Sequence, residues 1–268
     1  MSGYELHLRG PLAARLSLAG LTPDALAGLT LAEVERQPLA YGTARVPLAE
    51  VFTVSPAPDG ALSVSGDPRL DFVGADLSSG VLQVFGPVGA FAGARMTGGR
   101  LAISGDTGEG LASGMTGGRI TVKGEVGARL GGPLPGERRG MTGGIVEIAG
   151  DVGPLAGTQM RGGLVLISGH AGDSVARGMI AGTIAVSGTL GAQAGADMKR
   201  GTLLLAQEPH LLAPGIGDAR EHDLIALQLI ARRVPEIAAL FGGALSGRAR
   251  RYVGDRLVGG QGEMLWLL

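Results

Sequence analysis

The sequence predicts a mainly β protein whose centre is a right-handed parallel β-helix of about seven coils. Three observations carry this: a 19-residue period, a two-residue apolar alternation within each period, and glycines at fixed places after it. The period is read from Leu77, Met96, Met115, Met141, Met160, Met179 and Met198, which open LSSG, MTGG, MTGG, MTGG, MRGG, MIAG and MKRG. Every step is 19 residues except that from Met115 to Met141, which is 26. The additional seven form one block, PLPGERR, from Pro133 to Arg139. A fixed period near 20 residues marks a solenoid, in which each repeat stacks on its neighbours.

Ahead of the repeats, Tyr4 to Leu8 alternates like a strand. Thr22-Pro23-Asp24 reads as a helix start with proline in the first turn. Thr30 and Glu33 have the spacing of a capping box. Tyr41 to Phe52 reads as extended chain. Residues 1–58 are therefore expected to form a small α/β cap over one end of the rod.

The rod is expected over residues 59–207. Its first apolar column is Leu82, Leu101, Ile120, Val146, Val165, Ile184 and Leu203; its second is Val84, Ile103, Val122, Ile148, Ile167, Val186 and Leu205. Two residues apart, both columns face one side of a short strand. Between them Gln83, Ala102, Thr121, Glu147, Leu166, Ala185 and Leu204 point the other way, a mixed set that suits a surface partly wet and partly covered. Glycines follow at Gly86, Gly105, Gly124, Gly150, Gly169 and Gly188, and again three residues on, from Gly89 to Gly191. The expectation is that these pairs turn corners by adopting positive φ. Helix is disfavoured by the spacing of two and by interior glycine, which costs roughly 1 kcal/mol against alanine. Seven coils at about 4.8 Å each give a rod roughly 34 Å long. The methionines should stack as an internal ladder of core packing. Ala61 to Gly66 reads as an irregular first coil, and Gln207, which replaces the corner glycine, as the end of the repeat.

Residues 208–268 are expected to be a helix and a packing tail. EPHLLAPGIG reads as a loop. Asp218 to Arg233 reads as an amphipathic helix, with Leu224, Ala231, Ile225 and Leu229 near helical spacing. Pro235 interrupts it, Ile237 to Phe241 adds a turn, and Gly242-Gly243 stops it. Trp266, Leu267 and Leu268 should pack on a coil or a partner.

Composition narrows the function. A net charge of −1 argues against nucleic acid and bilayer partners, and aromatics at 3% are not interleaved with basic residues. With no cysteine among 268 residues, disulfides, thiolate metal sites and a cysteine nucleophile are excluded. No 18-residue apolar run and no N-terminal signal pattern occur, so a cytoplasmic location is expected. Arginine supplies 21 of the 23 basic residues, a bias of GC-rich bacterial genomes.

The search for chemistry is mostly empty. There is no phosphate loop, and Gly108-Glu109-Gly110 belongs to the repeat rather than to a dinucleotide fingerprint. His7, His170, His210 and His222 are scattered, without ligand spacing. His170 falls between two corner glycines and reads as a turn residue; Glu208 and His210 flank Pro209 in a loop. No nucleophile elbow or paired-carboxylate signature occurs, so no catalytic or metal-ligating residue is nominated. The basic features are Arg138 and Arg139 in the inserted block and Arg248, Arg250 and Arg251 near the C-terminus. They are either solvated surface or a docking point for an acidic partner or an anionic cofactor tail. Arg138 and Arg139 carry more weight, because a solenoid displays its insertions on one face.

Corners such as GPVGAFAG, GEVGARLG, GDVGPLAG and GTLGAQAG, with MTGG-like steps between them, resemble the GXGXG β-helix superfamily. That group includes the C-terminal domain of the large chain of glutamate synthase and the C subunit of formylmethanofuran dehydrogenase. The likeness to the latter is closer and spans most of the chain, from LTPDALAGLT through the coils to YVGDRLVGGQGE. The resemblance implies a non-catalytic subunit of a one-carbon enzyme complex. Arginine-rich composition favours the bacterial formyltransferase/hydrolase complex over the archaeal tungsten or molybdenum dehydrogenase. Such a complex moves a formyl group from formyl-tetrahydromethanopterin through a methanofuran-type carrier to formate. The implied partners are an amidohydrolase-like metal subunit, a formyltransferase subunit and a dehydrogenase-B-like subunit, with no cofactor held by this chain alone. The alternatives are a glutamate-synthase-like binding module and an enzyme with a site on the rod's flank. The outward column from Gln83 to Leu166 lacks the charged cluster a flank enzyme needs.

Overall fold

The structure is a computed structural model that describes residues 3–58, 60–217, 220–243 and 245–268. The N-terminal part comprises β1 (Gly3–Leu8), β2 (Leu16–Ser17), α1 (Pro23–Leu26), α2 (Leu31–Glu35), β3 (Pro38–Tyr41), β4 (Ala44–Pro47), α3 (Leu48–Val51) and β5 (Phe52–Ala57). The Thr30–Glu33 capping box forms, with the Glu33 carboxylate accepting from the Thr30 N–H at 2.7 Å. Tyr41 to Phe52 is not wholly extended: Leu48 is fully buried and the chain turns through α3 around it.

The repeats supply β6 (Leu62–Asp67), β7 (Leu70–Asp71), β8 (Val81–Val88), β9 (Arg100–Ile103), β10 (Arg119–Val122), β11 (Ile145–Ile148), β12 (Arg161–Ile167), β13 (Ala181–Val186) and β14 (Thr202–Leu205). From β6 and β8 through β14, each of these rungs pairs in parallel with the next. The register is the repeat itself, so Leu101, Ile120, Val146, Val165, Ile184 and Leu203 are direct neighbours. A second line of parallel bridges joins Val88, Thr107, Val126, Val152, Ala171 and Leu190. Successive repeats thus meet at two places. The methionine positions and both apolar columns are buried in one core that runs from Tyr4 to Met264.

The corner glycines have another cause than the one expected. Of the twelve, only Gly86 has positive φ. They are required because neighbouring repeats touch there: a Cβ on Gly150 would lie 2.5 Å from the Gly124 carbonyl oxygen, and one on Gly188 would collide with that of Gly169. The left-handed turns fall instead on Phe72, Phe91, Arg129, Leu155, Ser174 and Gln193, at corresponding places in the repeat. A non-glycine residue there costs about 1–2 kcal/mol. The strain is offset by a regular bond, since each of these N–H groups donates to a carbonyl of the next repeat, as Leu155 does to Asp173 at 2.8 Å.

The C-terminal part comprises β15 (Arg220–Asp223), α4 (Ile225–Arg233), α5 (Pro235–Leu240), β16 (Arg248–Val253) and β17 (Glu263–Leu267). Together they complete a 13-stranded sheet ordered β15-β16-β17-β14-β13-β12-β11-β10-β9-β8-β6-β1-β5; β2, β3, β4 and β7 form a smaller one. Among the described residues, only β1–β5, β15–β16 and β16–β17 pair antiparallel within the large sheet.

Two expectations are corrected here. Stacking does not stop at Gln207, because β17 pairs in parallel with β14 and places Met264 beside Leu203 and Trp266 beside Leu205. The helix expected over Asp218 to Arg233 is shorter: Asp218 lies outside the described residues, the helix starts at Ile225, and Arg220–Asp223 is a strand. Glu221 and Asp223 there face Arg250 and Arg248 of β16, a cross-strand charge match that holds the segment extended. The helix also presents a different face: Leu227 is buried against the sheet, whereas Ile225 and Leu229 point to solvent. Helices α4 and α5 cover Leu166, Ala185 and Leu204, so the outward column is dry over the last repeats and wet over the first.

Candidate functional site

The inserted block leaves the stack at Gly131 and returns at Met141, whose N–H donates to the Gly131 carbonyl at 2.7 Å. Leu134 anchors it, buried with Ala75 and Ala94 beside Phe72 and Phe91. The two rings stack with centroids 5.2 Å apart. Beyond the anchor, Glu137, Arg138 and Arg139 are exposed. Among the described residues neither Arg138 nor Arg139 has a hydrogen bond or ion pair, so both guanidinium groups present all their donors outward.

The C-terminal arginines are different. Arg248 pairs with Glu221 at 3.2 Å and Asp223 at 3.6 Å, and Arg251 with Glu263 at 2.9 Å. Arg250 pairs with Glu208 at 3.4 Å and lies over the Trp266 ring, 5.2 Å from its centroid. Their charge is matched within the sheet edge. Residue type alone groups Arg248, Arg250 and Arg251 with Arg138 and Arg139 as basic features, but the fold joins the first three to carboxylates and leaves the inserted pair open.

The histidines do not converge. His170 Nδ1 accepts from the Thr189 backbone N–H at 3.0 Å and lies 2.8 Å from the Thr189 hydroxyl, so the ring is held against the next repeat. His7 lies 3.5 Å from Glu5 on β1. Among the described residues no three His, Asp or Glu side chains come together as metal ligands.

One arrangement has no signal in the local sequence. Arg119 on β10 joins Glu147 on β11 and Glu236 on α5, the latter at 2.5 Å. The hydrogen bond from Arg119 holds the Glu236 carboxyl below its ordinary range, assisted by the helix N-terminus, and hydrogen bonding to Glu236 raises the Arg119 guanidinium. Beside this clasp lies an open cleft of about 400 Å³, with Thr121, Lys123, Leu166 and Ser168 on the sheet and Ala239 and Leu240 on α5. Glu147 is visible in the outward column, but Arg119 and Glu236 stand 117 residues apart and only the fold brings them together.

No family model matches the chain. A segment of 87 residues is 45% identical to the C subunit of the formyltransferase/hydrolase complex Fhc of Methylorubrum extorquens; it covers 31% of this chain and 32% of that protein. The alignment thus spans about a third of the curated relative's length. The fold superposes almost completely on a chain of a solved structure, the formyltransferase/hydrolase complex (FhcABCD) from Methylorubrum extorquens with methylofuran. That match has a TM-score of 0.90 and 35% identity, and covers 98% of this chain and 99% of the other.

Proposed function

Because this chain belongs to the family of the C subunit of the formyltransferase/hydrolase complex, we propose that it is a non-catalytic framework subunit of such a complex. The observation that carries the proposal is the chain-long likeness, 35% identical over 98% of the residues, to a chain of an assembled complex. In this reading the stacked repeats over residues 59–207 are a right-handed parallel β-helix, residues 1–58 are its cap, and residues 208–268 are its helix and closing strand. Its partners are an amidohydrolase-like metal subunit, a formyltransferase subunit and a dehydrogenase-B-like subunit. The assembly takes a formyl group from formyl-tetrahydromethanopterin through a methanofuran-type carrier to formate, and the reacting groups belong to the partners. Rigidity is the chain's contribution: a repeat-on-repeat core holds two active sites in fixed relation while a tethered carrier moves between them.

Arg138 and Arg139 belong to the proposal as a point of attraction for an anionic carrier tail or a neighbouring subunit. Two unpaired guanidinium groups on an anchored loop suit carboxylates. Among the described residues no helix is long and apolar enough to cross a membrane; a cytoplasmic location is part of the same reading. The test is a pull-down of the tagged full chain from its own cells. Co-elution of the three partner chains, with no formyl transfer or hydrolysis by the isolated chain, is the expected result. Robust turnover by the isolated chain, or co-elution of an amidotransferase in place of these partners, overturns the proposal.

A further inference from the structure

We infer that the cleft between α5 and β10–β12 is a binding site for a small apolar monoanion, an aryl carboxylate being the type case. Its size is one reason: about 400 Å³ lies within the roughly 300–1,000 Å³ of small-molecule sites. Its lining is another. Leu166, Ala239 and Leu240 make an apolar interior, and the short side chains of Ala149 and Ser168 keep the floor low. The polar groups stand at two ends and differ in whether they are already used. At one end Glu147 and Glu236 are both bound by Arg119. At the other, Lys123 has no hydrogen bond or ion pair among the described residues, and neither has the Ser168 hydroxyl.

The placement of these groups selects the ligand's charge. Lys123, Ala149 and Ser168 follow directly after β10, β11 and the end of β12 and stay in the ladder: the Ala149 N–H donates to the Val122 carbonyl at 3.0 Å and the Ser168 N–H to that of Ile148 at 2.9 Å. All three are exposed on the outward side of the sheet. Neighbouring rungs are about 4.8 Å apart. A carboxylate seated over Ala149 therefore has the Lys123 ammonium one rung to one side and the Ser168 hydroxyl one rung to the other, two donors for its two oxygens. Its apolar body then extends over Leu166 against Ala239 and Leu240. A cation is repelled by Lys123, and a neutral ligand leaves that ammonium unused. One guanidinium against two carboxylates leaves a single negative charge at the Arg119 end, so a second anionic group on the ligand is disfavoured. The site needs only residues of this chain and holds whether or not the partner subunits proposed above are correct.

The test compares 2-naphthoate with its uncharged isostere 2-naphthamide. Amide chemical-shift changes on the full chain locate binding, and fluorescence titration at low salt measures it on the chain and on the complex that co-purifies with it. Naphthoate is expected to bind saturably, with a Kd of about 1 mM or tighter, and to shift Ala149, Ser168 and Ala239. Naphthamide should bind about three- to fivefold more weakly. Lys123→Gln should remove that difference by weakening naphthoate alone, as should about 1 M salt, where the screening length is about 3 Å. Ala149→Phe fills the floor from an exposed position and should abolish binding of both compounds with an unchanged circular dichroism spectrum. Absence of saturable shifts at these residues, equal binding of the two compounds, a naphthoate affinity indifferent to Lys123→Gln, or loss of naphthoate binding in the complex would each overturn the inference. A pull-down without the expected partners leaves the titration of the chain itself unaffected.

Discussion

The terminal methyl of Met141 fills the space that a Cβ on Gly163 would take, 2.5 Å from that atom's ideal position. The relationship recurs: Met96 faces Gly118, Met115 faces Gly144, Met160 faces Gly182 and Met179 faces Gly201 at 2.5–2.9 Å. Met198 does the same toward Gly262, a residue of the C-terminal tail. Each methionine thus reaches one repeat onward and requires a glycine there. Gly163 also has φ of +90°, so alanine is disfavoured twice. Gly163→Ala is expected to cost about 2–4 kcal/mol, from backbone strain and overpacking together. In urea denaturation Met141→Ala with Gly163→Ala should cost less than the sum of the two single changes, because the clash is then gone. Strict additivity would show that the methyl and the glycine are unconnected.

The corner glycines yield a paired experiment. Gly150 has ordinary φ but no room for a Cβ, which would meet the Gly124 carbonyl oxygen at 2.5 Å. Gly136, in the inserted block, has φ of +84° and open space around it. Gly150→Ala should destabilise by about 3 kcal/mol through backbone displacement. Gly136→Ala should cost only about 1 kcal/mol of left-handed strain. Equal urea midpoints for the two variants would contradict the steric account.

These glycines mark where reading the sequence reaches its limit. The rungs from Leu82 to Leu205 are legible because a strand alternates with period two and stacking repeats the same residue type at the same place. The glycines are equally visible, but the sequence does not distinguish a residue chosen for positive φ from one chosen for lack of space. Phe91, Arg129 and Leu155 take the left-handed conformation against their intrinsic preference, because a backbone bond to the next repeat compensates them. The tail is obscure for a related reason. Nothing local tells that Gly262 and Met264 continue a pattern that lapses at Gln207, since their partners are Met198 and Leu203. Of the site, the inserted arginines are legible as a broken period, whereas the Arg119–Glu236 clasp exists only through long-range folding.

Thr107 occupies the bridge column otherwise filled by Val88, Val126, Val152, Ala171 and Leu190. Its hydroxyl is buried without a hydrogen-bond partner among the described residues. Valine has nearly the same shape and no polar atom to desolvate. Thr107→Val should raise stability by about 1 kcal/mol, read as a higher urea midpoint at unchanged slope. A lower midpoint would mean that the hydroxyl is satisfied in solution.

The clasp between the sheet and α5 should respond to acid. Hydrogen bonding from Arg119 lowers the Glu236 carboxyl in the folded chain relative to its ordinary value. A carboxyl lowered on folding stabilises the fold above its unfolded pKa of about 4.3, and this contribution fades as pH falls through the folded value. The protection factors of the residue 236–241 amides, taken relative to intrinsic exchange at each pH, should therefore fall below about pH 4. Glu236→Gln should exchange faster at neutral pH and lose that acid dependence. If the wild-type chain and Glu236→Gln show the same pH profile, the ion pair does not hold the helix.

Arg138 and Arg139 carry the most direct test of the proposal that this chain attracts an anionic carrier tail or a neighbouring subunit. Both are exposed, and Leu134 fixes the block that bears them, so reversing their charge leaves the stack intact. Exposed charges act through a screened field whose range is about 10 Å at 0.1 M salt. Arg138→Glu with Arg139→Glu in the co-purified complex should weaken carrier binding about tenfold at low salt, and the difference should shrink as salt is added. Stability should change by less than about 0.5 kcal/mol. Unchanged carrier affinity at low salt would return the pair to ordinary solvated surface, whereas loss of a co-purifying partner would identify them as a docking point between chains.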